Sequence, residues 1–529
     1  MRASQVLDGG TTWELRNASP SVDPPPSTAT PICDALLSLK ALDIESFHAL
    51  PVSRARSLWG SHFRGRYDQL FGESALSLEL TYTGDLFDTP AIPSRCIERS
   101  RELTAAAFGA RYSTYVTSGT TASNSAAVAA LCRPGHRVLA DRLCHQSIHF
   151  ALVRSRARVT LARSSPREGR SNRCALDVEA LLDELRRARA QNDPYRVVVL
   201  TQCSYEGVFY ELDALLREFL VIDPLVRCIV DEAWFAHAHF HPYYRRYSAM
   251  HAAGELGSTH PALAVVATQS AHKTLSALRQ GSYMHVHGDD QVVRVVKDAQ
   301  FTYHTTSPSY PILASLELAR AQAVAEGEAL VGRALDLAGR IRRAFHEDPA
   351  LSVYRVNESD ELKSAYVRVD PARISIDVSS VTQDVRAFRA ALFHEYGIFV
   401  NSITDTSLLL NVHIGITPAS VDRLLEVFAR CGTRRPRRQA SRARAPERSR
   451  GAGRAGSSPM PVPGCVSGSY VIPYPPGVPA VAPGEVVTPQ VASGVSRLLD
   501  AGVDVLSIDV SMLGGAAPTA RGESDPWPP

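Results

Sequence analysis

Residues 262–281 read ALAVVATQSAHKTLSALRQG. An apolar, β-branched run gives way to Ser270, His272 and Lys273, after which the pattern turns helical. Apolar residues on consecutive positions predict a strand covered on both faces, as in parallel sheets flanked by helices. Similar runs lie on the N-terminal side: YSTYVT (112–117), RVLAD (137–141), RVTLA (158–162), RVVVLTQ (196–202) and RCIVDE (227–232). Helical stretches separate them, which predicts an α/β fold with a mostly parallel sheet over residues 111–320. Ligands of such sheets bind beyond the carboxyl ends of the strands, so the residues just after each run are the ones to search for chemistry.

The rest of the chain arranges itself around this block. Residues 1–32, rich in Pro, Ser, Thr and Asp, lack apolar periodicity and read as a loose arm. Residues 33–110 read as helices and turns, ending in IERSRELTAAAFGA, where Gly109 can close the helix. Residues 321–431 carry a long helical pattern and then SAYVRVD and SLLLNVHIGI, a smaller α+β domain. Residues 432–463 have the composition of a solvated linker, and residues 464–529 resume order as a C-terminal domain and tail.

Charge and composition narrow the function. The 529 residues carry a formal net charge of +3, but residues 434–454 hold nine arginines and one glutamate. The remainder is therefore mildly acidic, which suits a cationic substrate only as a steering effect. The arginine run has no aromatic platform or DNA-binding fold beside it, so no nucleic-acid partner is expected. Nine scattered cysteines without a CxxC pair, no apolar leader and no apolar run near ~18 residues predict a cytoplasmic protein with no membrane span. Only four lysines are present, Lys40, Lys273, Lys297 and Lys363, so any amine chemistry draws on that short set.

Three segments carry chemistry. Lys273 follows a strand, where a partly desolvated amine can condense with an aldehyde cofactor; alone, it reads first as a surface lysine capping a loop. Asp231 ends another strand, where a carboxylate can hold a pyridine nitrogen protonated; alone, it reads as a helix cap or turn residue. YVTSGTTASNSAAVAAL (115–131) runs from strand into helix, and its first N–H groups with the hydroxyls of Thr120 and Thr121 suit a phosphate; alone, it reads as an ordinary cap. His237, His239 and His241 alternate, but no carboxylate or thiol ligand shares their spacing, and no metal is expected.

Taken together, these segments resemble the ornithine/lysine/arginine decarboxylases that depend on pyridoxal 5′-phosphate (PLP). The resemblance extends over about residues 60–430 and 466–500. It rests on SGTTASN (118–124), DRLCHQSIHFAL (141–152), LTQCSYEGVFYEL (200–212), DEAWFAHAHFHP (231–242), QSAHKTLSALRQGSYMHV (269–286), YHTTSPSYPILASLELA (303–319) and PYPPGVPAVAPGE (473–485), in that order. It implies the aminotransferase-like fold (fold type I), with PLP carried on Lys273, Asp231 at the pyridinium nitrogen and His145 stacked on the ring. Thr120, Thr121, Ser270 and His272 would surround phosphate and ring, and Ala233, followed by Trp234, would pack on the ring's other face. Thr305, Thr306 and Ser307 would reach the site across a homodimer interface.

The chain departs from the family pattern at Ala122, where a hydroxyl is usual, at Glu206, where aspartate is, and at PVSRARS (51–57), in place of a PGHK-like turn. The expected activity is decarboxylation of lysine, ornithine or arginine to a diamine or agmatine, with Lys273, His272 or a water returning a proton to Cα. Another PLP reaction, transamination or oxidative deamination, stays open beside it, as does a PLP-binding regulatory protein without activity. For the substrate's distal cation the candidates are Glu485, Asp85 and Asp88.

Overall fold

The computed structural model describes residues 26–45, 47–79, 82, 87–89, 93–164, 173–357, 364–400, 402–433, 461–474, 476–500, 503–514 and 519–520. Asp85 and residues 434–460 of the expected linker lie outside this set.

The large domain is built on strands β1 (Tyr112–Val116), β2 (Arg137–Asp141), β3 (Arg158–Ala162), β4 (Val197–Thr201), β5 (Val208–Tyr210), β6 (Arg227–Asp231), β7 (Ala264–Gln269) and β8 (Ser282–His287). All but β5 form one sheet in the order β1-β8-β7-β6-β4-β2-β3, and Thr519–Ala520 lies beside β3 as an eighth member. The pairings from β3 to β7 are parallel, whereas β8 runs antiparallel to both β1 and β7.

The period of two along each strand separates two cores. Val198, Leu200, Cys228, Val230, Val265 and Ala267 face helices Val178–Ala190, Leu212–Ile222 and Ala249–Gly257. Val197, Val199, Ile229, Ala264 and Val266 face helices Gly119–Leu131, Gln146–Ser155 and Asp290–Tyr303. Apolar residues are needed on both sides, which is why the strands read as unbroken runs.

Helix Tyr310–Glu347 is continuous over 38 residues and passes from the large domain into the small one. The small domain contains β9 (Arg355–Asn357), β10 (Val367–Val369), β11 (Arg373–Asp377), β12 (Ser402–Ile403) and β13 (Ser407–Asn411). Four of these form an antiparallel sheet, β12-β13-β11-β9, while β10 pairs with β5 and so ties the small domain to the large. At the C-terminal end, β14 (Ser469–Tyr474) and β15 (Asp504–Asp509) form an antiparallel pair whose Tyr470 and Ile472 enter the large-domain core.

The expectation of a loose arm over residues 1–32 is corrected for residues 26–32. Helix Pro31–Ala41 begins there, with Ile32 fully buried. Its unpaired N–H groups at Ile32 and Cys33 donate to the carboxylate of Glu317 at 3.0 and 2.8 Å, and Arg320 donates to the carbonyls of Ser27 and Ala29, both at 2.6 Å. A distant carboxylate thus does the work of a local cap, which no local pattern signals. Among the described residues no helix is long and apolar enough to cross a membrane.

Candidate active site

Adjacent parallel strands β6 and β7 end side by side and deliver Asp231 and the Ser270–Lys273 turn to one edge of the sheet. Asp231 is 3% exposed; its carboxylate accepts from the amide of Asn124 at 2.9 Å and from the backbone N–H of Ala233 at 2.9 Å. Asn124 is fixed in turn, donating to the Ser147 hydroxyl at 3.0 Å and accepting from Thr268 at 2.6 Å. The carboxylate is therefore oriented by a fully bonded amide.

Thr120, four residues before Asn124 on the same buried helix face, bonds the Ser270 hydroxyl at 2.6 Å and the Ser282 hydroxyl at 3.1 Å. Ser123 completes this group, at 2.9 Å from Ser282. The cluster sits at the start of helix Gly119–Leu131, where free N–H groups attract an anion. A Cβ built on Gly119 would meet no atom within 4 Å, so the space before this helix end is open. Thr121 is exposed at the same turn.

The amine of Lys273 lies 4.4 Å from the centre of the Trp234 ring, and the guanidinium of Arg373 lies 4.6 Å from it. Burial holds the Lys273 pKa below the ordinary lysine value; Asp231 opposes the shift and Arg373 adds to it. His145 caps helix Gln146–Ser155, its Nδ1 accepting from the N–H of Ser147 at 3.2 Å. Burial keeps its pKa low, with Asp231 raising and Lys273 lowering it, so the three groups are within electrostatic reach of one another. Nδ1 of His272 lies 2.9 Å from the carbonyl of Gly281.

The C-terminal segment walls this site. Gly477 has φ +88°, and a Cβ there would lie 2.9 Å from Nε2 of His145; its carbonyl accepts from the N–H of Gln146 at 2.8 Å. Glu485 does something other than expected: both its oxygens bind the buried Arg142, at 2.6 and 2.8 Å, and one accepts from the N–H of Ala482. That occupancy corrects its reading as a substrate carboxylate. Asp88 is also engaged, accepting from the N–H groups of Ser94, Arg95 and Ile97 and from the Cys96 thiol.

Thr305, Thr306 and Ser307 are exposed, on a turn that His304 ties to the N–H of Thr117 at 2.9 Å. The three alternating histidines diverge: His237 packs on Tyr244, His239 on Phe108, and the ring nitrogen of His241 accepts from the N–H of Tyr243. Among the described residues no three potential metal ligands gather.

Arg373 was missed in the sequence. It is 3% exposed, donates to the carbonyl of Tyr205 at 3.1 Å, and has its Nε 3.7 Å from Asp370. Gly207, φ +86°, lets the chain pass it, since a Cβ there would lie 2.5 Å from its Cγ. Arg373 also lines a small pocket of about 30 Å³ with Thr274, His237, Asp370, Asn411 and His413. In so arginine-rich a chain a lone arginine opening a short strand gives no signal; Asn124, also missed, stands four residues after Thr120 on a helix, a spacing that could have found it.

Residues 30–380 match the family described as Orn/Lys/Arg decarboxylase, major domain. The chain belongs to the Orn/Lys/Arg decarboxylase family. It is 27% identical over 471 residues to an arginine decarboxylase of Bacillus subtilis, covering 86% of this chain and 91% of that one. It is 30% identical over 286 residues to the constitutive lysine decarboxylase of Escherichia coli, covering 52% of this chain and 38% of that one. The crystal structure of a Francisella novicida lysine decarboxylase superposes with a TM-score of 0.73 at 19% identity, over 91% of this chain and 79% of that one, a likeness of fold.

As a member of this family the protein is a decarboxylase, with PLP as cofactor and a fold type I large domain. The residues present fit PLP: an open helix end ringed by hydroxyls for the phosphate, an oriented carboxylate, and a buried amine of lowered pKa.

Proposed function

We propose that this decarboxylase acts on a basic amino acid, arginine first among the candidates, with PLP carried on Lys273. The observation that supports the reading most is the pairing of Asp231 and Lys273 at the ends of adjacent strands, with Asp231 locked by Asn124. Arginine ranks ahead of lysine and ornithine because two sequence relatives matched over 86% and 90% of this chain are named arginine decarboxylases, whereas the Escherichia coli lysine enzyme matches 52% of it in sequence.

Bound PLP supplies an electron sink for the pair left when the bond between Cα and the carboxylate breaks. Thr120, Ser270 and the helix start would hold the phosphate. Asp231 would keep a proton on the ring nitrogen, and His145 and Ala233 would cover the ring. Arg373, the buried cation beside the Lys273 amine, would meet the substrate's carboxylate. The Lys273 amine, its pKa lowered by burial, returns a proton to Cα. His272 is assigned to packing at the cofactor, since its Nδ1 is already bonded to Gly281.

The site is completed by a second copy of the chain, which brings Thr305, Thr306 and Ser307. An exposed apolar series, Phe47, Trp59, Phe63, Leu70 and Phe71, favours such association. The nine cysteines are free, in keeping with the cytoplasm. The test is a substrate screen on purified protein with PLP, measuring carbon dioxide and amine by mass, with molecular mass in solution by light scattering. Release of a keto acid without carbon dioxide would overturn the reaction, and a monomer with full activity would overturn the shared site.

A further inference from the structure

Beneath the cofactor side of the sheet runs a second polar chain that the reaction above does not use. Glu232, next after Asp231, points to the opposite face, where it is fully buried and accepts from the N–H of Ala249 at 2.7 Å and from the amide of Gln269 at 2.8 Å. Gln269 reaches Nε2 of His285 at 3.1 Å, and Nδ1 of His285 reaches the Ser113 hydroxyl at 2.7 Å. All four side chains are at most 1% exposed. They cross β6, β7, β8 and β1 in one line.

The chain has a direction. Gln269 must turn its NH₂ to the carboxylate, so its oxygen faces His285 and accepts from Nε2–H. Nδ1 of His285 is then bare and accepts from Ser113. Burial pushes the His285 pKa down to about 3, which keeps it neutral in this role. The charge at the end of the line belongs to Glu232, at the N-terminus of helix Ala249–Gly257, which favours an anion. A protonated Glu232 would have to donate, and Gln269, His285 and Ser113 would all have to reverse.

We propose that Glu232 is a positioning residue of the reaction: through Gln269, His285 and Ser113 it fixes the ends of β6 and β7 and so holds Asp231 and Lys273 in working register. This rests on the reading of Asp231 and Lys273 as the cofactor pair. The two faces interlock residue by residue, because Asp231 and Thr268 bind Asn124 on one side while their chain neighbours Glu232 and Gln269 bind each other on the other. Facing Glu232 are Asp231 on its own strand, the Cys203 thiol beyond β4, and His285 beyond Gln269. Burial, with Asp231 adding, raises the Glu232 pKa to about 7 against the hydrogen bonds from Gln269 and Ala249, so the chain reverses as pH falls below that value.

The test compares Glu232→Gln, Gln269→Leu and Ser113→Ala with the parent holoenzyme. The readouts are borohydride fixation of the cofactor to the Lys273 peptide by mass, kcat and KM against pH, and thermal midpoint. Glu232→Gln and Gln269→Leu are expected to keep fixation and KM while losing about tenfold in kcat, the scale of one hydrogen bond. Glu232→Gln is also expected to flatten the acid limb of kcat. Ser113→Ala, at the far end, is expected to shift that limb with the midpoint unchanged, and it decides the matter if the other two fail to fold. An unshifted limb in Ser113→Ala, parental kcat in Glu232→Gln, or a kcat that falls only with the fraction of fixed cofactor would each overturn the proposal. Lys273→Ala is the separate control: cofactor still fixed by borohydride in that variant sinks the underlying site reading.

Discussion

At the scale of single residues the proposed site divides into groups that would touch the cofactor and groups that aim them. Lys273→Ala is expected to abolish borohydride fixation of PLP; a fixed adduct on Lys40, Lys297 or Lys363 would move the site. Asp231→Asn is expected to retain PLP and lose at least about a hundredfold in kcat, since the amide cannot hold the ring nitrogen charged. Asn124→Ala should lose about tenfold by leaving Asp231 with one partner fewer. Near-parental rates in both would make the pair structural. Arg373→Ala should raise KM about tenfold or more with PLP retained, and Arg373→Lys should recover part of it; a pure kcat loss with unchanged KM would remove Arg373 from substrate binding. That Lys273 and Asp231 come to one edge of the sheet was legible because each follows an apolar run. Arg373 was not, since its place beside them depends on a contact between domains rather than on its neighbours in sequence.

Among secondary-structure elements the strand runs were the clearest signal. All six runs quoted from the sequence form strands of the large sheet. What such runs could not show was direction: β8 is nearly as buried as its neighbours yet antiparallel, because it follows the Lys273 turn without a crossover helix. SAYVRVD did form a strand, but one that pairs with β5 of the large domain. The PYPPGVPAVAPGE segment approaches His145 through Gly477, while its glutamate was assigned a substrate; the ion pair with Arg142 joins residues 343 apart, which spacing cannot reveal.

That pair gives the prediction at this scale. Arg142 is 1% exposed and also donates to the carbonyls of Pro479 and Ala480, so Arg142→Ala leaves Glu485 and two carbonyls without their partner. The expected cost is about 3 kcal/mol or more, with β14 and β15 released from the His145 face. Faster protease cleavage near residues 465–485, with weaker PLP retention, is the readout. Unchanged cleavage and retention would show that Tyr470 and Ile472 alone hold the segment in place.

For the whole molecule, buried titratable groups set the response to acid. Burial pushes the pKa of His149 and His285 down to about 3 and that of His237 and His239 down to about 4. In each case the folded state stays neutral where the unfolded chain takes a proton, so stability is complete above about pH 6.5 and drains as pH falls toward the folded values. Two carboxyls act in the opposite sense. Burial raises Glu232 to about 7 and Asp141 to about 6, so the folded state holds protons that the unfolded chain releases, and these groups gain stability on acidification. Near pH 5.5 the four histidines outweigh the two carboxyls by about two protons, which gives a loss of roughly 3 kcal/mol per pH unit. Thermal midpoints of the holoenzyme are therefore expected to fall steadily from pH 6.5 to 5. The variant His149→Phe, which keeps a ring against Tyr470, should shallow that fall by about one proton's share. A midpoint that is flat or rising over this interval, or a slope unchanged in His149→Phe, would mean that these histidines take up protons while folded and that acid reaches the core through local opening instead.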